Sequence, residues 1–158
     1  MRRLTTALLL SLTLGVSVIS AQAAAAAKPR FGVYTVNQLL GGGGHLEASI
    51  SVLDPPTKVT MQFDCGKPTG QDTVTDVFNS AIVPLHGGSF RFAGTVTLQK
   101  FTTVTENNAL LAKTSYTSSV SVTGSFTARH QFIGTIALGG SPCQGTAYTA
   151  IRKAAPVP

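Results

Sequence analysis

The sequence predicts an all-β chain: an antiparallel β-sandwich of roughly eight to ten short strands, with a closed β-barrel as the second choice. Three observations lead there. From Phe31 onward apolar side chains recur at every second position, and no long run places them at helical spacing between caps. Clusters of Gly, Pro, Asn and Asp cut the alternating runs at short intervals. Thr, Ser and Val, which suit a pleated, half-buried surface, are abundant throughout.

Met1-Arg2-Arg3 precedes the apolar run Leu4 to Ile19 and the small-residue exit Ala21-Gln22-Ala23. A charged start, an apolar middle and a small-residue exit are the parts of a secretory signal peptide. A signal peptide is expected over residues 1–23, with cleavage possible up to Ala27. The run is short for a membrane span, and no membrane span is expected after cleavage. No cysteine lies near the cut, so a lipid anchor is not expected either. Residues 24–30 are then a flexible N-terminus, 31–153 a single β-domain and 154–158 a flexible tail. A chain of 158 residues suffices for one domain and not for two sizeable ones.

Phe31 to Val36 reads as the first strand and Gly41 to Gly44 as a loop. His45 to Leu53 alternates, with Leu46, Ala48, Ile50 and Val52 on one face. Asp54-Pro55-Pro56-Thr57 is a turn, because proline fixes φ and donates nothing to a ladder. Lys58 to Cys65 alternates again, with Val59, Met61, Phe63 and Cys65 inward, and completes a hairpin. Gly66 to Thr75 reads as a polar loop, and Val77 to Leu85 as a less regular strand with Pro84 at an edge or an end. His86-Gly87-Gly88 turns the chain into Ser89 to Leu98, where Phe90, Phe92, Gly94, Val96 and Leu98 point inward. Phe101 to Leu111 carries a weak pattern with a turn tip at Glu106-Asn107-Asn108.

Tyr116 to Thr127 recovers the alternation, with Val120, Val122, Gly124 and Phe126 inward. A turn through Arg129 and His130 leads to Phe132–Leu138, a second turn at Gly139–Pro142, and a last strand from Cys143 to Arg152. In that strand Cys143 has the parity of Ala147 and Ile151, so Tyr148 and Ala150 need a bulge to share its face.

Two cysteines in an exported chain point to one disulfide, Cys65–Cys143. Their separation, 143 − 65 = 78 residues, makes the closed loop long. The chain-entropy model then gives about 4–5 kcal/mol as an upper limit on the stabilisation. Neither cysteine is flanked by further metal ligands, so the bond is structural.

Twelve Lys and Arg face six Asp and Glu, and loss of Arg2 and Arg3 leaves ten against six, a charge of +4. The basic residues are scattered, without the stripe and stacking aromatics of a nucleic-acid site, so no nucleic acid is expected as a partner. The charge is compatible with mild attraction to an anionic envelope component, or with another protein as partner.

The closing pattern Cys143-x-Gly145-x-x-Tyr148-x-Ala150-x-Arg152, preceded by Gly88-x-Phe90 and Phe132-x-Gly134, resembles small secreted bacterial all-β domains of uncharacterised function. In those families a cysteine opens the closing strand, and the first cysteine ends a strand in the N-terminal half. The resemblance covers roughly Phe31 to Lys153 and rests on short motifs. It implies an exported sandwich with one disulfide, and no catalytic residue.

His45, His86 and His130 fall at loop or turn positions without the short spacing of a zinc site, although His45 and Glu47 are two apart on one strand. No Gly-x-Ser-x-Gly elbow occurs. Asp64, Asp72 and Asp76 bracket the loop after Cys65, among Gly, Lys, Gln and Thr. A solvated setting of that kind lacks the apolar pocket a glycosidase acid needs, and the spacing is not that of a calcium loop. Gly41 to Gly44 is followed by no Lys-Ser/Thr pair, so it is no phosphate loop. There is no Trp, Tyr34, Tyr116 and Tyr148 lie within strands, and the eight Phe fall mostly on inward positions. No catalytic, cofactor-binding or metal residue is therefore singled out.

The leading expectation is a secreted, non-catalytic β-domain with a binding, adhesion or envelope-structural role. The alternative is a small apolar-ligand carrier, its barrel given room by Ala48, Gly94, Gly124 and Gly134. A hydrolase or protease inhibitor is a more distant third.

Overall fold

A computed structural model describes residues 28–127 and 130–153. The expected signal peptide, the tail 154–158 and the Arg129 half of the predicted turn lie outside the described residues. Among the described residues nine strands follow one another: β1 (Gly32–Leu39), β2 (His45–Val52), β3 (Lys58–Thr69), β4 (Asp72–Asn79), β5 (Val83–Pro84), β6 (Ser89–Val104), β7 (Leu110–Phe126), β8 (Gln131–Leu138) and β9 (Thr146–Arg152). One short 3-10 turn, Gly41–Gly43, joins β1 to β2. The class is all-β and antiparallel, as the period-two alternation predicts.

All nine strands belong to one sheet in the spatial order β2-β1-β9-β8-β7-β6-β4-β3-β5, and because β2 also pairs with β3, eight of them close a ring. The ring has two partial seams. β1 meets β9 only at Tyr34↔Arg152 and Thr35↔Ile151. β4 meets β6 only from Val77↔Gln99 to Asp72↔Val104. The seams divide the ring into two runs of strands, β5/β4-β3-β2-β1 and β9-β8-β7-β6, here termed its layers, whose inward rings meet. Phe63 packs edge-on to Tyr148 at 5.4 Å, Tyr34 to Phe132 at 4.9 Å, and Phe78 tilts against Phe92 at 5.3 Å. Tyr34, Phe63, Phe78, Phe90, Phe126, Phe132 and Tyr148 are all buried in one continuous core. Each such side chain contributes about 1.5–3 kcal/mol by leaving water.

Two of the small inward residues, Gly124 and Gly134, are already filled against. A β-carbon on Gly124 would overlap the Phe90 ring, and one on Gly134 would run into the Thr123 carbonyl and stand 2.9 Å from the Tyr148 ring. Tyr148 donates its hydroxyl to that same Thr123 oxygen at 2.6 Å. The glycines thus let aromatic rings settle against the backbone. Gly94 differs: it is exposed, with only the tip of Phe92 near it.

The predicted Cys65–Cys143 disulfide is present, with a Cα–Cα distance of 5.8 Å. Cys65 faces inward from the first layer and Cys143 from the turn between β8 and β9, so the bond ties layer to layer. Two expectations are corrected here. Cys143 precedes the last strand instead of opening it, so Tyr148 and Ala150 face the core without a bulge. Gly66 to Thr75 is not a loop but the end of β3, a turn at Gly70-Gln71 and the start of β4, paired from Gly66↔Thr75 to Thr69↔Asp72. Apart from Pro68 and Val74 its residues are glycines or polar, so the hairpin carries no hydrophobic alternation to read. Pro68 is tolerated because β2 stops at His45↔Gly66, which leaves that side of β3 unpaired.

Candidate functional site

The acidic residues that the sequence places around one loop mouth are separated by strand parity. Asp64 stands on the outer face of β3 opposite Glu47, with Gln62 donating to both its oxygens at 3.2 Å. Asp72 lies at the far end of the β3–β4 hairpin, opposite Thr69 and Val104. Asp76 turns inward and is only 2% exposed, the one buried charged residue among those described. A solvated cluster of the three is therefore not what forms.

The histidines do not converge either. His45 lies across Gly66, His86 bridges to Ser89 in the turn before β6, and His130 sits 6.1 Å from the Phe126 ring. His45 and Glu47 share the outer face of β2. Among the described residues no three His, Cys, Asp or Glu side chains are placed to hold a metal ion.

Asp76 sits in a row of directly opposed residues, Leu46, Cys65, Asp76, Lys100 and Thr114, that crosses four strand boundaries. The Lys100 ammonium lies 3.8 Å from Asp76 Oδ1 and 4.8 Å from the Tyr116 ring centroid. Oδ1 of Asp76 and the Tyr116 hydroxyl are both buried without a hydrogen-bond partner. Burial first, and then the neighbouring Asp76 carboxylate, push the Tyr116 phenol up to about 12. The phenol therefore stays protonated and Lys100 neutralises the acid. A general acid–base pair needs values near the working pH, and this trio supplies no such group from its tyrosine.

Sequence reasoning missed this trio, yet its signal is parity. Lys100 continues the inward series Phe90 to Leu98 by one step, Asp76 precedes inward Phe78 by two, and Tyr116 lies two pairs before Val120. Polar residues at those positions mark where the core ends. Beyond them the sheet continues as an arm. From Lys67 to Thr75 and from Gln99 to Ser119 no residue is buried, although β3, β4, β6 and β7 remain paired. On the outer face of the arm Lys113 stands over the Phe101 ring at 5.2 Å. Near the tip Leu110 and Leu111 are 59% and 56% exposed, with the β6–β7 register shifting beside them, between Thr102 and Thr103.

Among known protein families, curated proteins and solved structures, none matches this chain.

Proposed function

We propose that the protein is a secreted, non-catalytic binding domain that acts through its surface, in adhesion or in the cell envelope. The observation that carries this reading is the arm. It extends four strands past the last buried residues, buries nothing of its own, and presents Leu110 and Leu111 to solvent. Exposed large aliphatics at a projecting tip add nothing to folding and suit a contact surface. The partner is an envelope component or another protein, met by the Leu110/Leu111 tip with Lys113 beside it. The leader-like start, the disulfide and the closing-strand resemblance support export. No helix among the described residues is long and apolar enough to cross a membrane.

The test is co-sedimentation of the purified protein with envelope preparations of the cells that produce it. Saturable binding that falls sharply in a Leu110→Ser/Leu111→Ser variant is expected. Absence of binding to envelope or to any exported protein of that cell, or binding indifferent to the tip, would overturn the assignment.

A further inference from the structure

The geometry points to a second interaction surface, the unpaired edge of β6, and to a second copy of this chain as its occupant. Along β6, Ser89 to Thr103 pair with β7 on one side. On the other side β4 reaches only Gln99 to Val104, and a short bridge between His86 and Ser89 closes the opposite end. The stretch between has no partner on that side among the described residues. Ala93, Gly94 and Thr95 are exposed in succession, so both faces of the strand are open there.

The hydrogen-bond phase shows which groups are free. Phe126 N donates to Gly88 O at 2.8 Å, which places the even-numbered residues of this stretch in bonded pairs with β7. Ser89 exchanges bonds with His86 in the opposite direction, at 2.8 and 2.9 Å, as the alternation requires. The N–H and C=O groups of Arg91, Ala93, Thr95 and Thr97 therefore point out of the sheet edge. Exposed edges are normally blunted by proline, bulges or inward charges. Between Phe90 and Leu98 there is no proline and no register shift, and the one charge, Arg91, lies on the outer face.

This edge complements itself. An antiparallel pair related by a two-fold axis through Gly94 sets Ala93 against Thr95 and Arg91 against Thr97, so that all four free residues bond with one another. No other two-fold register satisfies all four. It opposes no like charges, because Arg91 faces Thr97. On the inner side it sets Phe92 against Val96 of the partner copy, a ring against a β-branched side chain, both half-buried in the single chain. Gly94 meets Gly94 on the axis, where the lack of a side chain permits close approach. The product is a continuous sheet through two second layers, formed without disturbing either core or either arm tip.

Sedimentation velocity of the full secreted protein over a concentration series, with hydrogen exchange on the same samples, tests this. A reversible dimer is expected, in which the amides of Arg91, Ala93, Thr95 and Thr97 become protected as concentration rises while those of the even residues do not change. Thr95→Pro removes a donor that faces the free edge and none that faces β7. It should weaken the dimer at least about tenfold and leave the monomer folded. If that variant fails to fold, the exchange pattern of the unaltered chain decides. A monomer at every concentration, or a dimer whose odd amides stay unprotected or that survives Thr95→Pro, would overturn the proposal.

Discussion

The β6–β7 hairpin passes through two environments, and its halves differ where their sequences differ. From Ser89 to Leu98 in β6, and from Val120 to Phe126 in β7, apolar residues keep one parity and the strands cover a core. From Gln99 to Val104 and from Leu110 to Ser119 the same ladder continues with nothing buried. The change falls at Lys100 and Phe101, where the inward place goes to a lysine and the aromatic moves to the opposite face. A strand pair can outrun its hydrophobic face when its flanking strands, here β4 and β3, keep the backbone bonded. Pairing and burial are thus separable in this molecule: backbone bonds build the arm, and side-chain packing with one disulfide holds the body.

The sharpest way to break that contrast is at the body's staple. Cys65→Ser with Cys143→Ser should cost up to about 4–5 kcal/mol, less any strain released, and lower the midpoint of urea unfolding accordingly. Loss of a few tenths only would mean that packing alone holds the layers together. Next comes truncation of matched aromatics. Phe132 is fully buried against Tyr34, Phe90 and Phe126, and Phe132→Ala should cost about 3–5 kcal/mol. Phe101→Ala, in the arm, should cost less than about 1 kcal/mol in the same denaturation experiment. Equal losses at the two sites would mean the arm is part of the cooperative core.

A smaller effect is expected where the two regions meet. Lys100→Met keeps the length of the side chain and leaves the Asp76 carboxylate buried without its cation. About 1–3 kcal/mol should be lost at neutral pH. Asp76→Asn made together with it should recover part of that loss, since a neutral amide costs less to bury than an unpaired carboxylate. A double variant no better than the single one would show that the pair holds geometry and not charge.

Much of the body was legible in the sequence, because period-two alternation is a burial pattern and the body is where burial happens. The hairpin from His45 to Cys65 and the inward sets on β6 and β7 follow directly from it. The disulfide follows from the cysteine count and the expectation of export. What escapes is structure made without burial: Gly66 to Thr75 reads as a loop because Val74 and Pro68 are its only apolar side chains, and the hydrogen bonds that pair it leave no compositional trace. Asp76 reads as a residue bracketing that loop for the same reason: with the next strand starting at Val77, its parity with Phe78 is hidden. Cys143 reads as the start of the last strand because a residue that reaches the core from a turn looks, in sequence, like an early strand residue.

The smallest expected effect lies on the outer face of the body, and its sign is opposite to that of a paired carboxylate. Partial burial raises the Asp64 pKa above its ordinary 3.8. The bond from Gln62 opposes this, the charge of Glu47 across the strand adds to it, and His45 opposes it. Ionising Asp64 therefore costs the folded state more than the unfolded chain. Its contribution to stability is fully present below pH 3.8 and is lost as the pH rises through its own, higher value. Asp64→Asn keeps an acceptor for Gln62 and removes the titration. Its melting temperature, followed from acid to neutral pH, should gain on that of the unaltered chain as the pH rises, with the curves nearest at the acid end. Curves that diverge toward acid instead would show that Gln62 and His45 outweigh burial, and that this patch stabilises the charged form.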